Sequence, residues 1–192
     1  IGFRYQYEDS GNYVYNSTIQ NSTNYDFELR DSPGSVVVNT LFSSISLDAD
    51  SDLTVKNHLT IQVWLSGDLV NGSDIQIKDN SDILYATSYY NGSDAKTVNG
   101  TIQMLLITDR IYDGSSTATE NITELKVKYG NYTETINVSM STTHTEVVQL
   151  NVIPISSIIS ISPQIIYYNN TVTFNGTGSD SDGDITAYQW KS

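Results

Sequence analysis

The sequence predicts an all-β protein: an antiparallel β-sandwich over residues 1–153 and part of a further β module over residues 154–192. Three observations carry that prediction. Strand-favouring residues are plentiful, with 14 Tyr and 21 Thr among many Ile and Val, while helix formers are scarce. Apolar and polar residues alternate with a period of two, and no stretch holds a convincing 3.6-residue period. Turn residues recur often enough to cut the chain into about a dozen short strands, the pattern of a sandwich, with a barrel as the alternative.

The elements follow in order. Phe3, Tyr5 and Tyr7 alternate, Asp9-Ser10-Gly11-Asn12 is turn chemistry, and Tyr13 and Tyr15 alternate again, which reads as a hairpin. Residues 25–29 alternate apolar side chains with acids, and Asp31-Ser32-Pro33-Gly34 turns the chain into Val36-Val37-Val38. Residues 41–47 form the next strand and run into the acidic turn Asp48-Ala49-Asp50-Ser51-Asp52. The longest alternating stretch is 53–65. Leu59, Ile61, Val63 and Leu65 share one face, and His58, Thr60, Gln62 and Trp64 the other, as in a central strand. Asn71-Gly72-Ser73-Asp74 and Asn91-Gly92-Ser93-Asp94 are identical turn tetrapeptides around strands at 75–77 and 83–90. Strands are expected at 101–107, 125–129, 132–140 and 147–153, with a polar loop at 112–119 and a boundary at Pro154.

Residues 171–191 read TVTFNGTGSDSDGDITAYQWK, after a lead-in of Ile161-Ser162-Pro163. A short strand with Val172 and Phe174, an N-G-T-G-S turn, the acidic D-x-D-G-D-I and a Tyr-x-Trp strand at 185–190 follow one another. This resembles the first half of the polycystic-kidney-disease (PKD) repeat, an Ig-like β-sandwich, over about residues 157–192. The resemblance implies a spacer or interaction module of a surface protein, and such modules also accompany secreted hydrolases. A partial module suggests a fragment, or completion by a strand donated from a neighbour.

Charge and composition exclude several classes. A net charge of −13 repels phosphate backbones and anionic lipid surfaces, so neither nucleic acid nor membrane is an expected partner. With no Cys there is no disulfide, no thiol chemistry and no Cys-based zinc site. No apolar run reaches membrane-spanning length. The first residue is Ile rather than Met, which suggests a processed or excised product.

The feature furthest above chance is the set of Asn-x-Ser/Thr sequons at Asn16, Asn21, Asn71, Asn91, Asn99, Asn121, Asn131, Asn137, Asn169 and Asn175. Composition alone would give roughly four. Around the last hairpin Asn131, Thr133, Asn137 and Ser139 fall on the polar face, opposite Tyr132, Ile136, Val138 and Met140, with Glu134 the exception. Glycans there would leave a core undisturbed. Dense N-glycosylation without Cys suggests an exported protein resembling those of archaeal envelopes, located extracellularly or on the cell surface.

Asp180, Asp182 and Asp184 alternate in the C-terminal turn, as do Asp48, Asp50 and Asp52. Such carboxylates supply hard oxygens suited to Ca²⁺, although neither cluster has the EF-hand spacing, and Asp is equally a turn former. His58 and His144 are isolated, and no hydrolase elbow, phosphate loop or zinc-protease motif is present. No pair among the 22 acids is singled out for glycoside hydrolysis. Tyr13/Tyr15, Tyr89-Tyr90 and Tyr167-Tyr168 suit either buried strand packing or a sugar-stacking platform. The expectation is therefore a non-catalytic, glycosylated extracellular protein of an envelope layer, filament or adhesin. Its partners would be copies of itself, other surface proteins or glycans. The alternative is a carbohydrate-binding accessory module of a secreted hydrolase.

Overall fold

The structure is a computed structural model and describes residues 3–6, 11–152, 155–162, 171 and 173–179. It is all-β, with a single short 3-10 helix at Ser88–Tyr90 among the described residues. The first strands are β1 (Phe3–Gln6), β2 (Tyr13–Tyr15), β3 (Phe27–Arg30), β4 (Ser35–Val38), β5 (Ile45–Leu47) and β6 (Asp52–Leu65).

These six do not form the hairpin expected at residues 3–15. β1, β3 and β5 pair in parallel, and β2, β4 and the first part of β6 pair in parallel in a second sheet. The chain therefore winds three times around one interior, visiting each sheet once per turn, as a short β-solenoid. Phe3, Phe27 and Ile45 stand in one register column, and Val14, Val37 and Val55 in another. Val14, Phe27, Leu29, Val37, Leu53 and Val55 are buried together inside the coils. Period-two alternation reports that a strand has one buried face, and it carries no information about the direction of the neighbouring strand. The glycine of the 9–12 turn, Gly11 (φ +71°), sits at a corner between sheets instead of a reversal within one sheet.

Asp26 is a further device of these coils. It is 1 % exposed, and its carboxylate accepts from the Ser43 amide (2.8 Å), the Ser43 hydroxyl (2.8 Å) and the Ser44 amide (3.2 Å). The Ser43 amide acts against the opposing pull of burial. Helped by the Ser43 and Ser22 hydroxyls and the Ser44 amide, it holds the Asp26 pKa down from 3.8 to about 2. A depressed folded pKa gives stability that is present above about pH 4 and lost as pH falls toward 2. Asp26→Asn should be less stable at neutral pH and lose less stability across that window, as read by circular dichroism during acid titration. Superposable titrations of the two proteins would refute this role.

From residue 57 onward the fold becomes a sandwich. The remaining strands are β7 (Asp68–Leu69), β8 (Asp74–Asp79), β9 (Asp82–Ala86), β10 (Thr101–Asp113), β11 (Ala118–Glu120), β12 (Thr123–Tyr129), β13 (Tyr132–Val138) and β14 (His144–Leu150). β6 is the central strand that its alternation predicts, with Leu53, Val55, Leu59, Ile61 and Val63 buried. It pairs antiparallel with β10 on one edge. On the other it pairs in parallel with β4 along its first half and β14 along its second. The opposing sheet, in the order β13-β12-β8-β9, is antiparallel throughout. Leu59, Ile61, Val63, Ile107, Val148 and Leu150 from one sheet meet Ile75, Ile77, Leu125, Val127 and Val138 from the other. Residues 112–119, expected as a polar loop, instead end β10 and begin β11. Tyr112 is buried, 9 % exposed, in the core of the coils. β15 (Ile155–Ser162) and β16 (Thr173–Ser179) form an antiparallel hairpin. The strand expected at 185–190 lies outside the described residues.

Candidate functional site

A concavity lies where the coils meet the sandwich. A bulge in β10 shapes it. Thr108 pairs with Lys56 and Arg110 with Val55, so Asp109 is the extra residue. Bulges bend a strand and re-aim its side chains. Here the bulge brings Arg110 opposite inward-facing Val55, and its Nε donates to the Asp109 carboxylate at 2.6 Å. Burial by itself would lower the Arg110 pKa, but the Asp109 carboxylate outweighs it and raises the pKa. Asn121 fastens the bulge, its backbone amide donating to the Asp109 carbonyl (2.8 Å) and its side chain to the Thr108 carbonyl (3.3 Å).

Three asparagines complete one wall. Asn16, Asn39 and Asn57 each follow a registered position, Tyr15, Val38 and Lys56, and so occupy corresponding places on successive coils. Asn39 Nδ2 donates to Asn16 Oδ1 at 2.6 Å. Asn57, 6 % exposed, donates through Nδ2 to the Met140 carbonyl at 2.6 Å, joining the last coil to the sandwich. With Asp109, Arg110 and Tyr112 they line a groove of about 450 Å³, closed on another side by Ser141, Thr142 and Thr143. That volume is in the range of small-ligand sites. Amides, hydroxyls and one neutralised ion pair provide donors and acceptors together. Asp109 is the one carboxylate among its described lining residues, and amides and hydroxyls make up most of the rest, so the groove is equipped for polar recognition.

A second surface lies on the outer side of the coils. Tyr13 and Tyr15 are 56 % and 45 % exposed, with ring planes 15° apart and centroids separated by 6.4 Å. The Tyr15 hydroxyl is 2.8 Å from His58 Nε2. Tyr89 and Tyr90 meet edge to face at 88°, and Lys128 lies over the Tyr89 ring, so this pair makes no flat platform. Tyr167 and Tyr168 lie outside the described residues. His144 is held separately, by Glu146 and the Thr142 carbonyl.

The sequon asparagines stand as follows. Asn16, Asn21, Asn71, Asn91, Asn99, Asn131, Asn137 and Asn175 are exposed. Asn121 is half-buried with its side-chain nitrogen committed to the bulge, and Asn169 lies outside the described residues. Along β13 and the residues flanking it, the outward Asn131, Thr133, Asn137 and Ser139 alternate with half-buried or buried Tyr132, Ile136, Val138 and Met140, as expected. Asn16, Asn21, Asn91 and Asn99 have φ between 49° and 62°, a conformation that Asn tolerates, so backbone geometry by itself also favours Asn there.

Asp180, Asp182 and Asp184 lie outside the described residues. Asp48 and Asp52 are engaged in the corners of the coils. Asp48 accepts from the Asp31 amide (3.0 Å) and the Ser51 hydroxyl (2.6 Å), and Asp52 from the Gly34 amide (2.9 Å). The Ser51 hydroxyl, opposed by burial and joined by the Asp31 amide, holds the Asp48 pKa below its ordinary value. Among the described residues no three acidic or histidine side chains are grouped to hold a metal ion. Nor is any helix among them long and apolar enough to cross a membrane. No family model matches the chain, and no curated protein matches its sequence.

Proposed function

We propose that this chain is a non-catalytic, N-glycosylated structural or adhesive part of an extracellular or cell-surface protein, acting through the faces and edges of its β-sheets. The observation that carries this reading is the placement of the sequons. Eight asparagines stand exposed on turns and outward strand faces, and both hydrophobic cores are free of them. The PKD resemblance supports it on the sequence side, although the N-G-T-G-S segment expected as a turn is strand, residues 173–179 forming β16 against β15. The test is the mass of the native protein before and after enzymatic or chemical deglycosylation. The expected result is a loss of several glycan masses, with Asn121 unmodified on peptide mapping because its nitrogen is bonded inward. A native mass equal to that of the bare polypeptide would overturn the glycoprotein reading.

One observation favours carbohydrate binding as a second reading. Tyr13 and Tyr15 present exposed, nearly parallel rings, and rings so placed can pack against pyranose faces. On this reading, retardation in gels containing neutral polysaccharide is expected to fall at least about tenfold in the Tyr13→Ala/Tyr15→Ala variant, each ring contributing about 1 kcal/mol. No retardation of the parent protein by any of a panel of polysaccharides would remove this reading.

A further inference from the structure

We propose that the outer edge of the first coil, formed by β1 and β2, is a stacking surface that accepts one more coil of the same Asp-Ser…Asn repeat in parallel. This goes beyond the surface role proposed above and needs Asn16 to be free of glycan, whichever of the other sequons carry one.

The coils share a pattern. Asp9-Ser10-Gly11-Asn12-Tyr13-Val14-Tyr15-Asn16, Asp31-Ser32-Pro33-Gly34-Ser35-Val36-Val37-Val38-Asn39 and Asp50-Ser51-Asp52-Leu53-Thr54-Val55-Lys56-Asn57 each run from Asp-Ser through a strand to Asn. Solenoid units contact only their neighbours, so the two ends of a stack need different treatment. At one end β6 is covered by β10, which in turn pairs with β11. At the other, β1 pairs only with β3 and β2 only with β4 among the described strands.

The chemistry of that open end points to a parallel coil. The Asn12 carbonyl and Asn16 amide bond toward β4, so in a parallel ladder Tyr13 and Tyr15 turn their amides the other way. β2 is short, at three residues, and Tyr-Val-Tyr has none of the other devices, charge, proline or bulge, that blunt a free edge. Val14 already sits 6 % exposed at the top of the Val14–Val37–Val55 column. Asn39 donates to Asn16 Oδ1, which leaves the Asn16 side-chain nitrogen as the donor for the corresponding Asn of an added coil. A two-fold-related copy keeping its inner face inward would meet β2 antiparallel and could not continue this asparagine register.

The test places a second copy of residues 17–44 ahead of Ile1, carrying one β3–β4 coil and the connection that follows it. A scrambled insert of the same composition is the control. Amide hydrogen exchange at Tyr13 and Tyr15 is followed together with sedimentation. The expected result is a monomer in which these amides exchange at least about tenfold more slowly than in the parent or the control. Unchanged exchange would overturn the proposal. So would a parent chain that already dimerises with these amides protected, which would give the edge to a second copy.

Discussion

Replacing Ile61 with alanine is expected to cost about 2–5 kcal/mol, read from the urea midpoint at an unchanged slope. Ile61 is fully buried in the middle of β6. Its backbone lies between two neighbours, Ile102 of β10 and Glu146 of β14. Its side chain belongs to the cluster in which β8 and β12 contribute Ile75, Ile77, Leu125 and Val127. With strands on both sides, the sheet cannot collapse easily into the space a truncated side chain leaves, which places the cost toward the upper end of that range. The neighbour Thr60 points to the half-exposed face, and Thr60→Ala should cost less than about 1 kcal/mol. Equal small losses at both positions would contradict the sandwich packing.

Much of the sandwich was legible because burial is written locally in strand alternation. β6, β12 and β13 have the faces that their side chains predict, and the polar side of β13 carries its sequons outward. The coils were harder to read. The aromatic alternation of residues 3–15 fits a hairpin and a solenoid equally well, because the partner of β2 lies a whole coil away at β4. The available signal was the Asp-Ser…Asn repeat, disguised by an extra residue in its second copy and by unequal spacing. Asn39 follows Asn16 by 23 residues, and Asn57 follows Asn39 by 18. The groove was not legible at all. Its walls come from residues 16–18, 39–42, 55, 57, 109, 110, 112 and 141–143, and only the pairing of the sheets brings them together. Asp109 gains its position from a bulge, for which no residue in its neighbourhood gives a distinctive cue.

Asn57 is where the repeat and the sandwich are tied together, and its replacement separates two kinds of contribution. In register it is the third member of the asparagine column, but its amide turns away from the coils and donates to Met140 just before the chain enters β14. Asn57→Ala leaves the buried Met140 carbonyl without this donor and should cost about 1–3 kcal/mol. Asn39→Ala removes an exposed side-chain bond and should cost less than about 1 kcal/mol. Asn57→Asp gives a sharper test, because it keeps the shape and replaces the donor with an ionisable group. A carboxylate facing a carbonyl oxygen in a buried site is disfavoured, while the protonated acid can donate to Met140 in place of the amide. The folded-state pKa of the new Asp is therefore raised above its unfolded value. Its stabilising contribution is present below about pH 4 and lost as pH rises through the raised folded pKa. The variant should approach the parent's stability in mild acid and fall progressively below it toward neutrality, as measured by urea unfolding at successive pH values. A deficit independent of pH would mean that position 57 contributes through packing volume and that the Met140 hydrogen bond is not what joins the coils to the sandwich.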